Sequence, residues 1–309
     1  MTLVAALRDR ARALGFLACG VTDLEPNRHG AALDRWLARG FGGTMRYLHR
    51  QAAKRKRPAG IVPGAVRAVV VLENYFEADR PAPAGPAVRI ARYARGRDYH
   101  LELIDRLEEL AAFLRGRGAT LTRCYADGGP VPERELASRA GLGWIGKNAM
   151  LIRPGAGSYV LIGSILTDLA LPVDQPLDTD HCGSCTRCLD ACPTEAIVEP
   201  RVVDATRCIS YLTIELKSAV PADLVPRLDG WAFGCDVCND VCPWNERFAE
   251  PTGRVAYHDR GAIGTDDPGF FDRMTEAEFE ARFADSPLER PGLTRMRRNF
   301  TNAFRSLDP

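Results

Sequence analysis

The run Cys182-Gly-Ser-Cys185-Thr-Arg-Cys188-Leu-Asp-Ala-Cys192-Pro193 has the spacing C-x2-C-x2-C-x3-C-P, and Cys235-Asp-Val-Cys238-Asn-Asp-Val-Cys242-Pro243 repeats it with its first member displaced to Cys208. Short spacers of this kind let three thiolates wrap one four-iron four-sulfur cubane while the fourth cysteine reaches a neighbouring cubane. Eight of the ten cysteines are therefore spaced for two clusters. By this crossed logic Cys182, Cys185, Cys188 and Cys242 hold one, and Cys192, Cys208, Cys235 and Cys238 the other. Zinc is the alternative occupant, because C-x2-C pairs also suit tetrahedral sites; the paired Cys-Pro endings favour cubanes. Cys19 and Cys124 stand among apolar residues and read as buried small hydrophobes.

Clusters carry electrons but perform no reaction alone, so the chemistry must lie in other residues. Asp127 follows the strand-like stretch 120–125 and precedes Gly128-Gly129-Pro130. A carboxylate at a strand end beside glycines is well placed to give or take a proton, although a plain turn uses the same residues. Asp98-Tyr99-His100 opens like D-x-H-x-x-G, a motif that supplies a histidine to cobalamin cobalt, but Leu103 stands where the glycine belongs. A helix-entry Asp with a satisfied surface histidine is the plainer reading. Gly141-Leu-Gly143-Trp144-Ile-Gly146-Lys147-Asn148 contains both G-x-G-x-x-G and G-x-x-x-x-G-K. A dinucleotide fingerprint must follow a strand and open a helix, and a phosphate loop needs Ser or Thr after its lysine. Here a helical stretch, 133–140, precedes Gly141, which sits at a helix C-cap, and Asn148 follows Lys147. Close backbone approach to a flat cofactor is the better use of these glycines.

These residues need a frame. Residues 1–170 read as a mixed α/β domain with buried strands at 66–72 and 159–166 and an amphipathic helix at 101–114. The elements do not alternate regularly, which argues against a doubly wound sheet. A Pro-rich loop at 78–86 and an extended connector at 171–176 follow the same logic. Residues 171–250 form the cluster-binding unit, and 251–309 a polar, Arg-rich tail with a helix at 276–283. The first 16 residues have helical periodicity without a secretory centre, and the apolar stretches are too short to span a membrane. A soluble cytoplasmic protein is expected, in a compartment where clustered cysteines bind metal. Net charge is +1, but Lys54-Arg55-Lys56-Arg57 and Arg295, Arg297, Arg298 and Arg305 form local basic patches.

As a set, Arg92-Tyr-Ala-Arg-Gly-Arg-Asp-Tyr-His100, Asp127-Gly-Gly-Pro-Val-Pro-Glu133-Arg134, Ala140-Gly-Leu-Gly-Trp-Ile-Gly-Lys-Asn148, Leu171-Pro-Val-Asp-Gln-Pro176, Cys208-Ile-Ser210-Tyr-Leu-Thr-Ile-Glu215 and Gly234-Cys-Asp-Val-Cys-Asn-Asp-Val-Cys-Pro-Trp-Asn245 resemble the epoxyqueuosine reductase family in content and order. The resemblance implies reduction of epoxyqueuosine to queuosine at the tRNA wobble position, in queuosine biosynthesis. It implies an α+β fold, a nitroreductase-like cobalamin-binding domain with a bacterial two-cluster ferredoxin module, related to reductive dehalogenases. Cobalamin would be base-off without a histidine ligand, fed by two 4Fe-4S clusters, one beside the corrin and one at the surface. Asp127 would be the proton donor, favoured by a raised pKa in a closed pocket, and Tyr93, Gly143, Trp144, Lys147, Ser210 and Lys217 the cobalamin contacts. Tyr93, Tyr99 or Trp144 would stack on the splayed base, and the basic patches would meet phosphates. A flavodoxin- or ferredoxin-type electron donor and a monomer are implied. Longer members carry a C-terminal helical-repeat region that helps grip the tRNA; this chain ends at Pro309. It also reads Asp-Gly-Gly before Pro130 where a bulkier residue is usual, which makes the pocket wall more mobile. The rivals are a corrinoid reductase of small molecules, most of which resemble exported proteins with a twin-arginine leader, and a bare electron carrier, which would leave the front domain unexplained.

Overall fold

The computed structural model describes residues 2–79, 85–177, 180–261 and 263–307; the middle of the 78–86 loop lies outside them. At its centre is a four-stranded sheet in the order Ala18–Asp23, Arg67–Asn74, Val160–Thr167, Thr122–Ala126, with every neighbour antiparallel. The strand Arg67–Asn74 shows why it is central. Its β-branched run is buried on both faces, and alternate residues serve different cores. Val69 and Val71 pack with Leu103, Leu107 and Leu110 of the helix Tyr99–Arg115 and Leu7 of the helix Leu3–Ala13. Ala68, Val70 and Leu72 pack on the other face with Leu136 and Ala137 of the helix Glu133–Arg139 and with Leu151. The helices expected at 101–114, 133–140 and 276–283 and the strands expected at 66–72, 120–125 and 159–166 are present within two residues of their predicted bounds.

Two local features position the site. The helix Tyr99–Arg115 is capped by Asp98, which accepts from the His100 N–H. The chain then reverses, and the strand Thr122–Ala126 runs back to the N-terminal end of that helix, so that Asp127 emerges beside Tyr99. Gly141 ends the helix Glu133–Arg139 with φ +69°, a left-handed conformation that glycine adopts without penalty. A Cβ there would lie 2.4 Å from the Gln175 carbonyl oxygen.

Interfaces cross both expected domain boundaries. Arg89–Ile90 pairs in parallel with Trp231–Phe233. The tail, expected to be polar, has its own core of Phe271, Phe279, Phe283, Met296 and Phe300, which packs on Ile90, Ala94 and Phe233. Its last helix, Leu293–Arg305, places Leu293, Met296, Phe300 and Ala303 on one buried stripe. Among the described residues no helix is long and apolar enough to cross a membrane.

Candidate active site and cysteine centres

Asp127 has φ +48°, a left-handed conformation uncommon for a residue with a side chain but tolerated by Asp. Its side chain is 57% exposed, so the site stands open. Tyr99 donates its hydroxyl to Asp127 Oδ2 at 2.6 Å, and burial together with Asp127 pushes the phenol pKa well up. His100 stacks on Tyr99 with ring centroids 4.1 Å apart. Its Nδ1 pairs with Asp98 at 2.7 Å, while Nε2 lies 3.8 Å from Asp127 Oδ2. His100 therefore faces the acid rather than serving only as a surface residue. Leu103, at the glycine position of the cobalt-ligating motif, is a fully buried core residue.

Three further residues meet this site. The Asp127 N–H donates to Glu133 Oε1 at 2.8 Å. Burial first, and then the charge of Asp127, push the Glu133 carboxyl up to about 8. Arg55 donates to the carbonyls of Gly129 (2.9 Å) and Val131 (3.3 Å), and its Nε is buried without a protein partner. From the tail, Arg290 lies within electrostatic reach of Asp127, Tyr47 and Tyr99 and pairs with Glu215. Glu133 and Arg55 have ordinary local explanations in the sequence, and nothing there points to Arg290.

The cysteines fall into two neighbouring groups. Burial raises the Cys188 thiol to about 11, and Cys182, Cys185 and Cys242 add to the shift; Cys242 likewise responds to Cys182 and Cys185. Cys238 is raised by burial and then by Cys208 and Cys192, and Cys235 by burial, Cys238 and Cys208. The second group is bolted to the front domain. Arg92 N–H donates to the buried Asp236 at 2.7 Å, Asn148 to the Cys238 carbonyl at 3.2 Å, and Ser158 Oγ to Asn239 at 2.9 Å. Among the described residues no three His, Cys, Asp or Glu side chains converge as a single bare ion would require. Cys19 and Cys124 pack against the core away from both groups, with burial holding their thiols up.

The expected corrin contacts divide between two places. Tyr93 packs against Tyr99 and Phe233 and lies within electrostatic reach of Asp127 and Cys208. Ser210 is hydrogen-bonded to Cys208, and Lys217 is exposed just beyond the same helix, Ile209–Ile214. Gly143, Trp144 and Lys147 lie elsewhere. A Cβ on Gly143 would lie 2.4 Å from the Ile152 carbonyl oxygen, so its close approach serves chain packing. Trp144 packs with Cys182, Cys242 and Trp244, its indole N–H is buried without a partner, and Lys147 Nζ donates to the carbonyls of Gly183 and Cys185. These contacts put Trp144 and Lys147 against the first cysteine group, where Trp144 cannot also stack on a base.

The basic patches are also redirected. Arg297 and Arg298 bond main-chain carbonyls of Phe271, Met274, Leu212 and Leu216, and Arg295 that of Ile214. Lys56 pairs with Asp34, which leaves Lys54, Arg57 and Arg305 as the exposed members.

Two neighbouring sets of thiols joined to a sheet that carries an acid at a strand end define a redox enzyme of the two-cluster iron-sulfur class. Residues 181–245 match the 4Fe-4S double cluster binding domain, and residues 55–128 match epoxyqueuosine reductase QueG, DUF1730. The chain is 42% identical over 302 residues to the epoxyqueuosine reductase of Pseudomonas aeruginosa, covering 96% of this chain and 83% of that one. It is 38% identical over 295 residues to that of Cyclobacterium marinum, covering 95% and 94%. The chain belongs to the epoxyqueuosine reductase family. Its structure is similar to that of the Streptococcus thermophilus enzyme (TM-score 0.88, 25% identity, 99% and 82% of the two chains). It is also similar to an epoxyqueuosine reductase crystallised with an epoxyqueuosine-modified tRNA-Tyr stem loop (TM-score 0.87, 29% identity, 97% and 80%). With the reductive dehalogenase NpRdhA it shares the fold alone (TM-score 0.51, 19% identity, 79% and 32%).

Proposed function

We infer that this chain reduces epoxyqueuosine to queuosine in tRNA. The observation that carries the reading is the placement of Asp127, Tyr99, His100 and Tyr93 beside the second cysteine group, in a chain related along its length to epoxyqueuosine reductases. Removing the epoxide oxygen as water and leaving a carbon-carbon double bond consumes two electrons and two protons. Asp127 supplies a proton to the departing oxygen. Tyr99 anchors one carboxylate oxygen and leaves the other for the transfer, and His100 borders the same acid.

The eight grouped cysteines fit two 4Fe-4S clusters: their donor chemistry is right, and Trp144, whose buried N–H is orphaned, packs against the first group, where a cluster sulfur would be an acceptor. The first group would be the electron entry port, fed by a flavodoxin- or ferredoxin-type donor, because Gly183, Ser184 and Thr186 are exposed around it. A base-off cobalamin, bound in a nitroreductase-like front domain, is the finer reading. The unpartnered Arg55 Nε suits a polar group of such a cofactor or of the substrate, and Tyr93, Ser210 and Lys217 would hold it. Leu103 fills the glycine position of the cobalt-ligating motif in the core, and His100 turns its Nε2 toward Asp127, which agrees with a cobalt centre without a histidine ligand. Cobalamin and the clusters supply, when bound, the low-potential electrons that no side chain can. The reading is completed by a monomer in the cytoplasm.

Anaerobically reconstituted protein with cobalamin, a strong reductant and epoxyqueuosine-bearing tRNA tests this. The expected result is queuosine by nucleoside mass spectrometry, with about eight iron and eight sulfide per chain. Unchanged epoxyqueuosine in the presence of both cofactors, or stoichiometric zinc, would overturn it.

A further inference from the structure

We propose that Glu133 and Arg55 are positioning residues that latch the Asp127 loop in its working conformation, Glu133 by accepting the Asp127 N–H and Arg55 by gripping the Gly129 and Val131 carbonyls. The inference rests on the reading of Asp127 as proton donor.

Apart from the Tyr99 hydroxyl on the Asp127 carboxyl, the loop has little else to hold it. Sheet pairing ends at Ala126, opposite Gly163, so the next N–H, that of Asp127, has no strand partner. Gly128 and Gly129 follow with no side chains to pack and more conformational freedom than any other residues. Asp127 itself sits in a left-handed conformation, the kind of local outlier that persists only when its surroundings over-determine it. Two elements from outside the loop do so. Glu133, the first residue of its helix, turns its carboxyl back onto the Asp127 N–H. Arg55, from the helix Arg46–Lys56, spans two carbonyls on the far side of the turn with a rigid planar fork that lysine cannot imitate. The two grips bracket residues 127–131, so the backbone that aims the Asp127 carboxyl is fixed from outside the loop, while Tyr99 holds one oxygen of the carboxyl itself.

The experiment uses the reconstituted holoenzyme and reads hydrogen exchange of the 127–131 segment by mass spectrometry, alongside single-turnover rate and KM for the tRNA. Glu133→Ala should raise exchange in that segment about tenfold, as expected for loss of one hydrogen bond. It should lower the turnover rate by a similar factor while KM changes less than about twofold. Glu133→Asp, which withdraws the oxygen by one methylene, should do the same if the alanine variant fails to fold. Glu133→Gln keeps an acceptor oxygen in place and should restore both readouts; Arg55→Lys should not. Wild-type exchange in Glu133→Ala or Glu133→Asp overturns the latch. So does increased exchange spread through the helix Glu133–Arg139 that glutamine fails to restore, which would assign Glu133 to the helix start. Asp127→Asn with wild-type turnover overturns the donor reading instead, whatever the exchange data show.

Discussion

Asp127 holds a left-handed backbone conformation that few residues with side chains adopt, and this makes one substitution especially informative. Asparagine favours the same conformation, so Asp127→Asn should keep the turn and remove only the acidic proton. Its single-turnover rate should fall by roughly 10²–10⁴-fold, the usual contribution of general acid catalysis; a residue that merely shaped the turn would leave the rate near wild type. Glu133 gives a pH signature. Its carboxyl is raised from 4.5 to about 8 by burial and by Asp127, so the folded state binds its proton more tightly than the unfolded chain does. The stabilisation is complete below about 4.5 and is lost as pH rises through 8. The other charged groups acting on it are Arg134 and Arg55. Melting temperature followed from pH 5 to 9 should therefore decline more steeply in wild type than in Glu133→Gln. Asp127 was legible in sequence because Asp-Gly-Gly-Pro follows a strand. Arg55 was not, because a run of four basic residues looks like one solvated face, and only the fold shows Lys56 turning to Asp34 while Arg55 turns inward.

At the scale of elements, strong periodicity was readable. The strand Arg67–Asn74 and the helix Tyr99–Arg115 carry their burial pattern in consecutive residues. The tail was misjudged for a physical reason: its arginines dominate the composition, yet Leu293, Met296, Phe300 and Ala303 recur at helical spacing and make a buried stripe. The placement of residues 143–148 could not be read, since glycines permit close approach to a cofactor and to other backbone alike. The fold puts this segment between the cysteine groups, with Lys147 on one and Asn148 on the other. Its buried indole N–H offers a test. Hydrogen bonds to cluster sulfurs raise reduction potentials, so Trp144→Phe should lower the midpoint potential of one cluster and leave the other unchanged. A redox titration followed by electron paramagnetic resonance would show this, and identical potentials in both proteins would rule the contact out.

Across the whole molecule, the tail is an integral layer. Arg298 donates to the carbonyls of Leu212 and Leu216, beside the helix that follows Cys208. Arg298→Ala should destabilise the protein by roughly 2–4 kcal/mol, since bonds to a charged donor are lost and buried acceptors are left unpaired. The salt dependence of tRNA binding should stay as in wild type, whereas a phosphate contact would reduce its slope; denaturant melts and binding isotherms at several salt concentrations separate the two. The parallel pairing of Arg89–Ile90 with Trp231–Phe233 joins segments roughly 140 residues apart. A ribosome adding about 5–20 residues per second leaves the earlier strand waiting for about 7–28 s before its partner emerges. Throughout that interval Ile90 and Ala91, both buried in the finished protein, lack the strand Trp231–Phe233 and the tail residues that complete their cover. The nascent front half thus carries this edge without its strand partner, and the edge is completed only once the segment between the cysteine groups has been made.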